Sequence, residues 1–587
     1  MKPNGNVAVA TAGNFVGPWG ASKSARCSQF RPLTGGDRHS GRIEAHGDFI
    51  RELIAEQGKG TLDLSRVPHD DPAVYQMIAE GDTIGVFQVE SRAQIQTLVR
   101  TQPQSLEDLI VQVAIVRPGP IVGGALNPYI TARQALRRDG EVVPTYDHPL
   151  LEPVLRETYG AILYQEQVLE VAVTLGGFTP GQADILRRSM SRKRSLEAMN
   201  SFWEQFRAGA AERGVPEETA KIVFDKLLGF AAYGFPKSHA AAFALLAYQS
   251  CYLKYYYPAE FYCALFNNQP MGFYPPHAFA NDAQRRGTPV LPPDVNRSGG
   301  RCTVEGRAVR IGFNYVDGIG EEVATALAEE RARGGPFRSV IDLARRTHLK
   351  REALEHLIVV GACDCFGLRR RELLWQLGLF LADRRLGASA KPNGWQLALG
   401  LPTEQDMVTL KEMSAWERMI ADYEIIGLSP QHHPLGLLRP HLPGKLVRAA
   451  DLEHLPHNSF VRLAGLVVCR QRPATAKGML FMLLEDESGL ANVIVHPPLY
   501  ERRRVIIRGA PFQIISGRLQ LRDNTVNIVA TDIQPIERPG KRGPQPKPEP
   551  IDALLAQAER IATLPGDLDD AALAHLRLVT PAAHDFR

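Results

Sequence analysis

From Phe49 to about Pro275 the apolar residues follow a helical period, interrupted by Gly and Pro turns. Ser105 followed by Asp108 forms a capping-box pattern ahead of Leu106, Leu109, Ile110 and Val113, and Arg117-Pro118-Gly119-Pro120 is expected to stop that helix. Thr179-Pro180 places an N-cap and an N1 proline before a helix through Ile185 and Leu186. Residues 1–48 carry no such period and read as a disordered or misassigned leader. A smaller module spans about 276–390, and a polar, proline-bearing connector with one amphipathic helix (Trp416 to Tyr423) covers 391–455. The period then changes to two. Five strand-like runs, Phe460 to Cys469, Met479 to Leu484, Leu490 to Val495, Phe512 to Leu521 and Val526 to Ile533, predict a five-stranded OB-type β-barrel over 456–537. Residues 538–587 read as a Pro/Gly/Lys-rich linker and a short helical tail. The expected fold class is multidomain α+β, mostly helical before the barrel.

Composition sharpens this picture only slightly. With 587 residues, 44% hydrophobic and 22% charged, the chain can bury roughly three or four cores. A net charge of +4 is too small to imply a nucleic-acid partner, so local clusters must carry that argument. Seven scattered cysteines without a CxxC pair suit a reducing compartment, and Cys363 and Cys365 read as thiols closing an apolar stretch, not a metal site. The most hydrophobic stretch, Ala240 to Phe266, is broken by Gln249, Lys254, Pro258 and Glu260, and the first twenty residues lack a secretory pattern. A cytoplasmic protein without a membrane partner is expected.

Three constellations could carry chemistry. Arg187, Arg188, Arg192, Lys193 and Arg194 cluster at a helix C-terminus, where they either complement the helix dipole in solvent or bind phosphate. Tyr233-Gly234-Phe235-Pro236-Lys237-Ser238-His239 delivers a cation and polar side chains to the start of an apolar helix, an anion seat by its components; the plainer alternative has Ser238 as N-cap and His239 as a surface residue. Gly318-Ile319-Gly320, between a strand-like run (Val309 to Phe313) and a helix from Glu321 to Arg333, is either a simple turn or the hairpin of a helix-hairpin-helix module. Gln376-Leu377-Gly378-Leu379-Phe380 has the look of a sliding-clamp peptide but continues a helical core pattern. His432-His433 and Asp70-Asp71 sit in turns without further ligands, and there is no HExxH, Walker or GxSxG motif.

Taken together, Gly85 to Ser91, Arg117 to Pro120, Tyr164-Gln165-Glu166-Gln167-Val168, Arg187 to Met190, Tyr233 to His239 and Tyr257-Pro258-Ala259-Glu260-Phe261 resemble, in order, the bacterial polymerase III alpha (C-family DNA polymerase) pattern from about Leu62 onward. Pro236 before Lys237, the stretches Arg470 to Gly478 and Leu484 to Gly489, and the short segment after the barrel resemble the error-prone branch. The resemblance implies polymerase fingers over 49–275, a helix-hairpin-helix module over 276–390 and template-directed DNA synthesis in damage-induced mutagenesis and repair. It implies dNTPs and primer-template DNA as ligands, with accessory mutagenesis proteins and, indirectly, the sliding clamp as further partners. Arg187, Arg188, Lys193, Lys237, Ser238 and His239 become the expected nucleotide-facing set, and Gly318, Ile319 and Gly320 the expected DNA-backbone contact. The family uses palm aspartates to hold Mg2+. No PDxDxD-like triplet is present, and Asp37, Asp48 and Asp63 lie in no matching context, so a catalytically incomplete chain lacking PHP, palm and thumb is expected. A non-catalytic DNA-binding or scaffold fragment is the alternative, and a frameshift or wrongly called start, suggested by the abrupt change near residue 49, is a third reading.

Overall fold

A computed structural model describes residues 47, 49–116, 126–140, 144–190, 196–231, 235–270, 274–388, 409–473, 476, 478–522, 525–536 and 584–586. Side-chain caps fix the first helices. Asp71 Oδ1 accepts the Ala73 N–H (2.9 Å) at the start of α1 (Pro72–Ala79), Ser91 caps α2 (Arg92–Thr101), and Ser105 caps α3 (Leu106–Ile115) through the Asp108 N–H (3.3 Å). The Asp108 carboxylate does not close the box on Ser105. It accepts from the Gln104 N–H and pairs with Arg133 of α4 (Leu126–Asp139) at 2.7 Å.

Four helices follow: α5 (Gln165–Thr174), α6 (Pro180–Met190), α7 (Leu196–Glu212) and α8 (Glu217–Ala231). They enclose their own core of Val168, Val171, Leu175, Phe178, Leu186, Phe206 and Phe224. Phe206 stands 6.1 Å from Phe178 and 5.3 Å from Phe224, centroid to centroid, in tilted and edge-on contacts. Gly209 permits the close approach of α7, since a Cβ there would fall 2.0 Å from the Gly176 carbonyl oxygen. Next come α9 (Lys237–Tyr256), α10 (Pro258–Asn267) and α11 (Pro276–Arg285). Ala240, Ala244, Ala247, Tyr248 and Cys251 form one buried face of α9, and its small residues let α3 and α1 pack closely.

The following module has a small sheet, β1 (Val290–Leu291) parallel to β3 (Ala308–Arg310), with β2 (Thr303–Glu305) antiparallel to β3. The strand expected over Val309 to Phe313 ends at Arg310, because Phe313–Tyr315 turns into a 3-10 helix whose Tyr315 hydroxyl donates to the Phe266 carbonyl (2.7 Å). Helices α12 (Glu321–Gly334), α13 (Val340–Thr347), α14 (Arg351–Val359), α15 (Arg370–Ala388) and α16 (Ala415–Ile425) complete it. Ser414 and Glu417 close a full capping box at α16.

The barrel strands are β4 (Phe460–Gln471), β5 (Leu480–Glu485), β6 (Leu490–Val495), β7 (Phe512–Arg522) and β8 (Thr525–Pro535). Their order β5-β6-β8-β7-β4 closes through β4–β5 pairing, which confirms the expected fold class. Helix α17 (Pro497–Gly509), which the period-two pattern does not predict, adds Leu499, Tyr500 and Ile507 to the barrel core. A further strand, β9 (His584–Phe586), runs parallel to Cys469–Gln471 where a helical tail was expected. The linker before it lies outside the described residues.

The barrel is seated on the helices. Val467, Met482 and Leu484 point into the barrel, while Val468, Cys469 and Leu483 join the core of the helical body. Beside this apolar seam the fully buried Glu485 carboxylate accepts from Arg285 (2.8 Å) and Asn281 (3.0 Å) of α11. At the next position of α11, Asp282 accepts from the buried Lys254 (3.0 Å), which also donates to the Ile84 carbonyl (2.8 Å). Arg439 pairs with Asp486 and Glu487 in the next turn of chain.

Glu485→Ala leaves Arg285 and Asn281 without their acceptor at the joint, so urea unfolding is expected to show a loss of about 3–5 kcal/mol. Asp422 of α16, holding the Ser429 hydroxyl at 2.7 Å, is pushed up to about 7 by burial. In the folded state it therefore keeps a proton that the unfolded chain has lost, and stability falls as pH rises from the ordinary aspartate range to about 7. Asp422→Asn should flatten that fall and gain on the order of 2 kcal/mol above it, read from denaturation curves across pH.

Candidate nucleotide and DNA interface

The start of α9 is built from two distant segments. Tyr164 and Phe235 form a parallel bridge in which the Gln165 N–H donates to the Phe235 carbonyl (3.0 Å), bringing the Tyr164–Val168 and Phe235–His239 motifs together. Pro236 is the N-cap residue, with φ −63° and ψ 134°, and has no side-chain acceptor. The cap is supplied from elsewhere: both oxygens of Glu166 accept the Lys237 N–H (3.0 and 3.2 Å). Lys237 reaches across to Glu157 (2.6 Å) and lies 5.7 Å from the Tyr164 ring centroid.

Ser238 stands in the first turn, past the cap position, so it does not serve as the N-cap, and its exposed hydroxyl makes no hydrogen bond to described residues. His239 is exposed, yet its ring packs edge-on against Phe235 and Phe243, with centroids 4.9 and 4.2 Å apart. Phe243 in turn meets Phe87 of the Gly85–Ser91 segment at 5.2 Å, tying a third motif to the same region. The turn there uses Gly85 at φ +76°, where a Cβ would meet Leu265 at 2.7 Å.

Thr179 and Gln182 cap α6 reciprocally, as the Thr179-Pro180 pattern predicts. Arg187 and Arg188 occupy the last turn of α6, which packs on α5 across the short connection 175–179. Both are held by Asp184: Arg187 at 2.8 Å and Arg188 at 2.8 Å. Hydrogen bonding from Arg187 holds the Asp184 carboxyl below its ordinary range, so it stays charged at neutral pH. Arg192, Lys193 and Arg194 lie outside the described residues. Sequence reasoning missed Glu157, Glu166 and Asp184 as partners; the acceptor-free Pro236 at the cap was the signal that a carboxylate must come from another segment.

In the Gly318-Ile319-Gly320 turn, Gly318 adopts φ +83° and its N–H donates to its neighbour Asp317 (3.0 Å). Ile319 is buried in the main core, and Gly320 is the N-cap of α12 with open space where a Cβ would stand. Glu321 and Glu322 fill the first turn, so the immediate field of this turn is acidic; Arg301 offsets part of it at 3.2 Å from Glu321.

The remaining candidates take structural places. Asp71 and His433 are N-caps, and burial drives His433 down to about 3. Leu377 is buried within α15, and Phe380 lies under the Arg345 guanidinium at 5.4 Å. Cys363 is buried and Cys365 exposed, both free. Among the described residues no helix is long and apolar enough to cross a membrane.

Two stretches match known families: residues 48–214 match the bacterial DNA polymerase III alpha subunit finger domain, and 287–373 a helix-hairpin-helix motif. Over 486 residues, 81% of its length, the chain is 44% identical to the error-prone DNA polymerase of Anaeromyxobacter sp. (strain K). The chain belongs to the bacterial C-family DNA polymerases of the error-prone type. Similarity extends to the error-prone DNA polymerases of Burkholderia pseudomallei, 44% identical over 80% of the chain, and of Corynebacterium efficiens, 42% identical over 84%. The chain spans 42–44% of the length of these relatives.

Polymerases of this family work with a divalent metal, and the described residues do not fit one: among them no group of three or more His, Cys, Asp or Glu side chains is placed to hold a metal ion. The carboxylates around the start of α9 and the end of α6 are each taken up by a backbone N–H or a cation. Glu166→Ala should uncap α9 and cost about 0.5–2 kcal/mol, with the first-turn amides of α9 losing hydrogen-exchange protection before the rest of the helix.

Proposed function

We propose that this chain is the nucleotide- and DNA-gripping part of an error-prone, translesion DNA polymerase, working in the cytoplasm in damage-induced DNA synthesis and repair. The observation that carries the proposal is the joining of the Tyr164–Val168 and Phe235–His239 motifs at the Tyr164–Phe235 bridge; Arg187 and Arg188 stand in the last turn of α6, which packs on the α5 helix that starts at this bridge. Lys237, Ser238 and His239 with Arg187, Arg188 and Lys193 form the proposed dNTP-facing set. A triphosphate is suited to it because the cations arrive from two helix ends and a backbone N–H adds a directional donor. Gly318-Ile319-Gly320 is the proposed DNA-backbone contact, reached from its open Gly320 side.

The proposed whole enzyme acts on primer-template DNA with dNTPs and uses Mg2+ to activate the primer hydroxyl and stabilise the pyrophosphate that leaves. Accessory mutagenesis proteins and, through them, the sliding clamp are its proposed partners. The binding role is supported by the cations and the N–H donor that Lys237, Arg187 and Arg188 bring to these helix ends. Expected are salt-sensitive binding of the purified chain to primer-template DNA, binding of dNTPs that combined Arg187→Ala and Lys237→Ala weakens several-fold, and no primer extension with magnesium and dNTPs. Extension by the chain alone would contradict the division of labour, and dNTP binding indifferent to both substitutions would contradict the assigned seat.

A further inference from the structure

Each described cation of the proposed seat already has a protein carboxylate. Glu157 Oε2 lies 2.6 Å from Lys237 Nζ, Asp184 lies 2.8 Å from both Arg187 and Arg188, and Glu166 accepts the Lys237 N–H at the tip of α9. The Lys237–Glu157 pair joins residues eighty positions apart, and both side chains are 46% exposed. Burial does not force that contact. The two groups meet at the surface in a place where the neighbouring Lys237 N–H is also taken by a carboxylate.

We propose that Glu157, Glu166 and Asp184 are resident counter-ions of the seat, and that a polyphosphate binds by displacing them rather than by filling a bare cationic site. This rests on the reading of the seat as a triphosphate site. The exchange sets affinity in a definite direction. Free cations would gain the whole of their attraction to the ligand; matched cations gain only the difference between a phosphate oxygen and the carboxylate it replaces. The matched seat also holds each of its described side-chain cations in reach before the ligand arrives, because Lys237 and both arginines are tethered to fixed points on neighbouring turns.

Salt separates this from a merely structural role. Binding of an anion to an already neutral group of charges weakens little as salt screens it, because the pairs broken and the pairs formed are screened alike. Neutralising a resident carboxylate leaves an uncompensated cation, and anion binding then becomes both tighter and more salt-sensitive. Glu157→Gln keeps the shape and stands on an exposed pair, so folding is not at stake.

The test uses the full chain, inorganic tripolyphosphate as the probe and titration calorimetry in chelator-treated buffer at low and at high salt. Expected are about two- to five-fold tighter binding by Glu157→Gln at low salt, with the same direction in Asp184→Asn, and a steeper loss on adding salt than in the unaltered chain. Lys237→Ala is expected to weaken binding. If Lys237→Ala weakens binding while Glu157→Gln and Asp184→Asn match the unaltered chain at both salts, the counter-ion proposal is overturned and the seat stands. If tripolyphosphate does not bind, or binds regardless of Lys237, the seat itself is overturned and the counter-ion role with it.

Discussion

Glu485 is a carboxylate without contact with water at the end of a barrel strand, and the placement of the barrel on the helices depends on it. An apolar seam of Val468, Cys469 and Leu483 supplies contact area, but apolar contact has no direction and tolerates sliding. Hydrogen bonds from Arg285 and Asn281 to one carboxylate do have direction, and they allow a single register of β5 against α11. α11 is itself held by Lys254 and Tyr262 on Asp282, so the constraint continues into the longest helix of the body. Asp486 extends it the other way, accepting from Arg439 and from the Ala449 N–H. The turn Glu485 to Gly489, first notable as a branch resemblance, is thus a mechanical joint.

The same economy of charge governs the proposed seat. Around Lys237 and the two arginines, opposite charges meet at the ends of helices, where dipoles and unsatisfied N–H groups add their own partial charges. The acidic first turn of α12 follows the same rule, since Glu321 and Glu322 complement its positive end. These helix ends are therefore stable without a ligand. The aromatic contacts of His239 and Phe243 connect the seat to the Gly85–Ser91 turn, which rests on the body core.

Much of this architecture was legible in the sequence. The five barrel runs fell within a residue or two of the strands because buried apolar residues recur along each of them, and Leu490–Val495, whose burial alternates, matched at both ends. Helix caps at Ser105 and Thr179 were legible because capping is local. Helix α17 was not: Pro497-Pro498 and the run Arg502-Arg503-Arg504 mask its apolar stripe, of which only Leu499, Tyr500 and Ile507 are buried. Small sheets such as β1 to β3 leave no period, being two or three residues long. The site was legible as motifs but not as electrostatics. Which carboxylate faces Lys237 depends on a fold-back across eighty positions, and no local spacing encodes it.

Pro236 at the tip of α9 has a consequence for how the chain acquires its shape. A serine or aspartate at that position would let the helix close its own first turn as soon as it formed. Here the acceptor is Glu166, seventy-one positions earlier, so the final turn must wait until two remote stretches have met. The interior of α9 can assemble early on its alanine face against α3, while its tip is completed only after a long loop has closed. The order of assembly is thus written into one ring: the scaffold precedes the tip that carries the proposed seat, and that tip is completed only in a chain whose surroundings are already in place.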